Sequence, residues 1–97
     1  MRLVLHPKIY SDIDTIMSYY EQVATPELAN EFYAELRQLM DEAVTRPESF
    51  SIRDHDLRRV NLRRFPYHFL FRTTGDAVRI LVVRHHGRRP SLGAQRR

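Results

Sequence analysis

Two kinds of side chain in the second half of this chain are suited to chemistry on an anion. His85 and His86 are adjacent near the end of an apolar run, and imidazole titrates close enough to neutral pH to act as acid or base. Around them stand arginines at 59, 63, 64, 72, 88 and 89, each a planar fork of donors matched to phosphate or carboxylate. Arg59 and Arg63 flank Asn61 with the period of a strand, so they can follow a phosphate backbone, and Tyr67 carries a ring that either stacks on a base or packs in the core. Successive residues of a regular strand point to opposite faces, so only one of His85 and His86 can face a shared site.

The charge distribution supports an anionic partner. Residues 1–48 hold nine acidic and four basic side chains, residues 49–97 three acidic and twelve basic, within a net charge of +4. Fifteen of the sixteen cations are arginine, Lys8 being the lone lysine. A polyanion or an acidic protein segment fits such a surface. With 97 residues, 42% of them hydrophobic, the chain makes one domain with one modest core. It has no cysteine, hence neither disulfides nor thiolate ligands, and no apolar run of bilayer length, so a cytoplasmic protein without membrane contact is expected. Glu48, Asp54, His55 and Asp56 share a polar loop, but nothing in their spacing makes them converge, and neither a metal nor another cofactor is expected.

The elements that must position these residues follow from periodicity. Arg2 to His6 alternates as a strand that Pro7 stops. Ile9, Ile13, Ile16, Met17 and Tyr20 recur at helical spacing to about Val23. Thr25-Pro26-Glu27 starts a second helix, with a capping hydroxyl, a proline where no N–H is needed and an acid at the positive end of the dipole. Leu28, Phe32, Leu36, Leu39, Met40 and Ala43 form its stripe as far as Arg46, and the short link makes the pair an antiparallel hairpin. Residues 47–56 read as a loop. Three strands follow, Arg58–Arg64, Tyr67–Arg72 and Ala77–His86, with Thr73-Thr74-Gly75-Asp76 as the hairpin turn. In the last of them Val78, Ile80 and Val82 are expected on one face and Leu81 and Val83 on the other. The fold class is α+β, with an N-terminal strand, a helical hairpin and a three-stranded antiparallel meander over residues 1–90, and residues 91–97 are expected to form a flexible basic tail.

Several stretches in combination resemble the RelE/ParE superfamily, the toxins of bacterial type II toxin–antitoxin modules, including small members known as plasmid stabilisation proteins. They are Asp12-Ile13-Asp14-Thr15-Ile16, the arginine-rich 58–64 strand, Phe65-Pro66-Tyr67, Phe71-Arg72 and His85-His86-Gly87-Arg88-Arg89-Pro90. The resemblance spans residues 2–90 and implies the RelE/ParE-like fold, growth inhibition, and neutralisation by a small acidic antitoxin. It also implies one of two activities. Members like RelE and YoeB cut messenger RNA on the ribosome without a metal, whereas members like ParE poison DNA gyrase. Cleavage through the 2′-hydroxyl needs a base, an acid and fixed positive charge. His85 or His86 with Arg72 and Arg63 would supply it, and Arg59, Arg64, Tyr67, Arg88 and Arg89 would bind RNA or phosphate. The chain departs from RelE in having Gly87 where ribonucleolytic relatives often carry a tyrosine, and in lacking the lysines of the catalytic strand. The histidines tilt the expectation towards mRNA cleavage, with a gyrase poison or a non-toxic antitoxin-binding relative as alternatives.

Overall fold

The computed structural model describes residues 1–97. It contains β1 (Arg2–Leu5), α1 (Ile9–Val23), α2 (Pro26–Thr45), β2 (Ile52–Asp54), β3 (Leu57–Asn61), β4 (Tyr67–Thr74) and β5 (Ala77–His85). The two helices form where the 3.6-residue stripes lie. Thr25 Oγ1 accepts the Leu28 N–H at 3.0 Å, and Pro26 opens α2. Neither helix is long and apolar enough to cross a membrane.

The α+β layout is as expected, but the sheet has five strands in the order β1-β5-β4-β3-β2. β1 pairs parallel with β5, and the remaining neighbours are antiparallel. Residues 52–54, expected in a loop, are the edge strand β2, joined to β3 through His55, whose φ is +52°. All three residues of β2 are exposed, so no apolar alternation marks it. β3 ends at Asn61 rather than Arg64, because Arg63 and Arg64 turn towards α2, where the Glu35 carboxylate accepts their backbone N–H groups at 2.6 and 3.3 Å.

One face of the sheet buries Val60, Phe69, Phe71, Val78, Ile80 and Val83 against Phe32, Leu36 and Met40 of the helices. Burying each phenylalanine contributes about 2–3 kcal/mol. The opposite, outer face holds a smaller cluster of Leu57, Leu70, Leu81 and Val82. Leu70 pairs with Val82 and Phe71 with Ile80, so Leu81 is an extra residue, a β-bulge. This corrects the expected alternation: Leu81 and Val82 both face outwards, while Val83 returns to the helix side.

The C-terminal segment does not stand away from the fold as the sequence suggests. It runs back along the outer side of β5. Arg84 donates to the Pro90 and Leu92 carbonyls at 2.6 Å each, and Ala94 packs on the outer cluster. Arg96 reaches Asp12, and Arg79 donates to the Arg97 carbonyl. Gly93 lies against Val82 with φ +76°, and a Cβ there would stand 2.5 Å from Val82 Cγ2. Gly93→Ala is therefore expected to undock the segment at a cost of about 2 kcal/mol, read in thermal denaturation as a midpoint about 10 °C lower.

Candidate functional site

Register decides which candidate residues meet. Tyr67 pairs with His85, His68 with Arg84 and Arg72 with Arg79. At about 3.3 Å per residue, Arg72 stands about 13 Å along β4 from His68. The structure thus separates Arg72 from the histidines, contrary to the catalytic set expected from the sequence. Its Nε lies 3.3 Å from Asp56 Oδ2, too poorly aligned for a hydrogen bond, and is buried without another partner.

His85 and His86 take opposite sides, as regular strand geometry requires. His85 turns to the helix side, its ring edge-on to Tyr67 at 5.2 Å between centroids, with Nδ1 accepting the Gly87 N–H at 2.9 Å. It lines a cleft of about 870 Å³ between α1 and the end of β5, together with Ile16, Tyr19, Tyr20, Tyr67 and Arg88. Tyr67 is 8% exposed and packs edge-on against Tyr20 and Phe32. Burial, then Tyr67 and Tyr19, pushes the Tyr20 hydroxyl above its usual range, and burial, then Tyr19, does the same for Tyr67, so both stay protonated. Tyr67 is a core residue with one edge on the cleft rather than a free platform for a base.

His86 lies on the outer face in a cluster only partly foreseen. Its ring stacks on His68 at 5.1 Å with 10° between planes, and the two Nδ1 atoms are 2.9 Å apart. Arg84 Nε donates to His68 Nε2 at 2.9 Å, an Arg59 amino group lies 3.3 Å from His86 Nδ1, and Arg59 Nε donates to Asn61 Oδ1 at 2.8 Å. An arginine donates and never accepts. His68 Nε2 must therefore be bare, which places the His68 proton on Nδ1 and makes His86 Nδ1 its acceptor. His86 then carries its own proton on Nε2. Imidazole nitrogen resonances should report His68 as the Nδ1–H tautomer and His86 as the Nε2–H tautomer at pH 7.5. The reverse assignment would break the chain of donors.

The electrostatics agree with neutral rings. Burial, then Arg59 and Arg84, hold His68 down to about 3, and burial with Arg59 and His85 lowers His86. Desolvation also lowers the Arg59 and Arg84 guanidinia. His68 and Arg84, at 1% and 8% exposed, are the buried polar residues of the sheet, and the sequence reading missed both. The available signal was a histidine inside the apolar run from Tyr67 to Phe71 and an arginine directly after Leu81-Val82-Val83.

The remaining arginines do not join this cluster. Arg63 is exposed in the β3–β4 turn. Arg64 lies 3.4 Å from Glu31 and over the Phe65 ring, and Arg88 and Arg89 are exposed at the start of the C-terminal segment. Nowhere do three His, Asp or Glu side chains converge as a metal site would need. The outer cluster can present the Arg59 guanidinium and the His86 Nε2–H to an anion, Arg84 being buried and committed to the Pro90 and Leu92 carbonyls. It holds no free imidazole lone pair to take a proton, because the bare nitrogens of both rings are occupied.

Over residues 3–90 the chain matches the family described as the ParE toxin of the type II toxin–antitoxin system parDE. It is 33% identical over 95 residues to the toxin ParE2 of Mycobacterium tuberculosis, in strains CDC 1551 / Oshkosh and ATCC 25618 / H37Rv, covering 93% of this chain and 86% of each relative. A solved structure of the chromosomal ParDE toxin–antitoxin system from P. aeruginosa has the same fold, with a TM-score of 0.78 and 23% identity over 88% of this chain and 95% of that one.

Proposed function

The chain belongs to the ParE toxin family of type II toxin–antitoxin systems, and from that membership we propose a toxin that occupies its target rather than cutting RNA, with DNA gyrase as the target. Membership implies an antitoxin partner. We infer that its binding segment is acidic, since the sheet half and C-terminal segment carry twelve basic side chains against three acidic ones.

The observation that carries the binding reading is the histidine–arginine chain. A ribonuclease needs a base with a free lone pair beside the reacting hydroxyl. His86 Nδ1 is already taken by His68 and Arg59, His68 is buried, and His85 faces the cleft on the other side of the sheet. Arg72, a cation of the expected catalytic set, stands apart from the histidines.

The test is induction of the chain without its antitoxin, followed by mapping of transcript 5′ ends and recovery of gyrase–DNA cleavage complexes. Growth arrest, intact messages and accumulating cleavage complexes are expected. Messages cut within codons, with no gyrase complexes, would overturn the proposal in favour of ribosome-dependent cleavage. Normal growth with folded toxin would instead identify a non-toxic antitoxin-binding relative.

A further inference from the structure

We propose that the chain Arg59, His86, His68, Arg84 is a proton-operated latch: a proton on His86 breaks it and frees residues 87–94 from the outer face of the sheet. Both ends of the chain are arginines that can only donate, so the two rings between them must accept, and the arrangement has one direction. A proton added at His86 Nδ1 would face the His68 Nδ1–H across 2.9 Å and the Arg59 amino group across 3.3 Å. His68 cannot relieve the conflict by changing tautomer, because Arg84 Nε holds its other nitrogen.

No group nearby compensates the added charge. β3 contributes Arg59 and the neutral Asn61, β4 contributes His68 itself, and β5 contributes Arg84 and His85. Arg53 of β2 bears on Arg59, and the β3–β4 turn offers only the Pro66 carbonyl, which accepts the His86 N–H at 2.9 Å. Arg88 and Arg89 follow in the chain, and no carboxylate contacts either ring. The charged His86 relieves the repulsion by swinging away from the stack.

That movement is transmitted directly. Gly87 follows His86, and the segment beyond it is held by Arg84 through the Pro90 and Leu92 carbonyls. Released from its stack, His86 withdraws the start of the segment, which uncovers Leu57, Leu70, Leu81 and Val82. The Asp12–Arg96 pair remains as a tether at the far end. This device does not depend on which target the toxin has.

Amide hydrogen exchange on the full-length chain at pH 7.5 and pH 5.0, corrected for intrinsic rates, tests it. The N–H groups of Leu92, Ala94 and Arg96, which donate to the Arg89, Ser91 and Gly93 carbonyls, should lose at least tenfold in protection at pH 5.0. Those of Phe69 and Phe71 should keep theirs. In His86→Gln, whose amide takes no proton and whose oxygen can still accept from His68, the segment should stay protected at pH 5.0. Unchanged protection in the parent chain, loss shared equally with Phe69 and Phe71, or release of His86→Gln at the same pH would each overturn the latch.

Discussion

Asp12→Ala is expected to lower stability by about 3 kcal/mol, seen as a fall of about 15 °C in the thermal midpoint. β1 ends at Leu5, and its last bond to β5 is the His6 N–H to the Ile80 carbonyl. Beyond it β5 would be an open edge. Asp12 Oδ2 accepts the Val83 N–H at 3.1 Å, and Arg96 covers the Leu81 carbonyl at 3.0 Å. The two side chains meet each other at 2.7 and 3.3 Å and are only 15% and 16% exposed. Removing the carboxylate leaves a strand N–H unpaired and a nearly buried guanidinium without its counter-charge, and that is why the effect exceeds that of an ordinary surface ion pair. Asp12→Asn keeps an acceptor for Val83 and should lose roughly half as much. In the double variant Asp12→Ala, Arg96→Leu the total loss should be smaller than the sum of the singles. Strict additivity would mean that the pair is not coupled.

The second large effect is on acid stability. His68 stays neutral in the folded chain down to about 3, whereas a histidine in the unfolded chain takes a proton near 6.5. The unfolded state therefore binds the additional proton, and stability is fully present above pH 6.5 and lost as the pH falls from there towards 3. The slope is about 1.4 kcal/mol per pH unit, so urea unfolding at pH 5 should report about 2 kcal/mol less than at pH 7. His86 is shifted in the same direction, but opening of the C-terminal segment allows it to protonate before the rest of the chain unfolds. Replacing Arg84 by Met should weaken this dependence, because a guanidinium beside His68 is one cause of its lowered value. The same substitution strands the Pro90 and Leu92 carbonyls and His68 Nε2, and it should cost about 2–3 kcal/mol at pH 7.

The helices and the order of the main strands were legible because each has a local cause. Thr25-Pro26 caps α2 wherever it occurs, the stripe from Leu28 to Ala43 has one period, and Pro66 and Gly75 punctuate the strands they bound. What could not be read was set by partners distant in the chain. Three exposed residues form β2 only because β3 offers them an edge, and the C-terminal residues look like a solvated tail until Asp12 is placed beside Arg96. For the site, residue types pointed to His86 and Arg59 but not to their connection. His68 read as one more residue of an apolar strand, and Arg72 was grouped with the histidines because residue type carries no information on pairing register.

The extra residue at Leu81 has a consequence for how this chain is compared with its relatives. A one-residue deletion between Val78 and Val83 would not simply shorten a strand. It would remove the bulge and restore regular pairing, leaving Arg84 and His86 on the outer face and His85 on the cleft, whereas a deletion between Val83 and His86 has no bulge to absorb it and would turn the histidine that follows to the opposite face. Two homologues with the same C-terminal letters can then present the same or opposite chemistry on each side of the sheet, depending on whether a single gap falls at the bulge or after it. In this strand, where a residue is gained or lost decides which surface each side chain reaches as much as which residues are present.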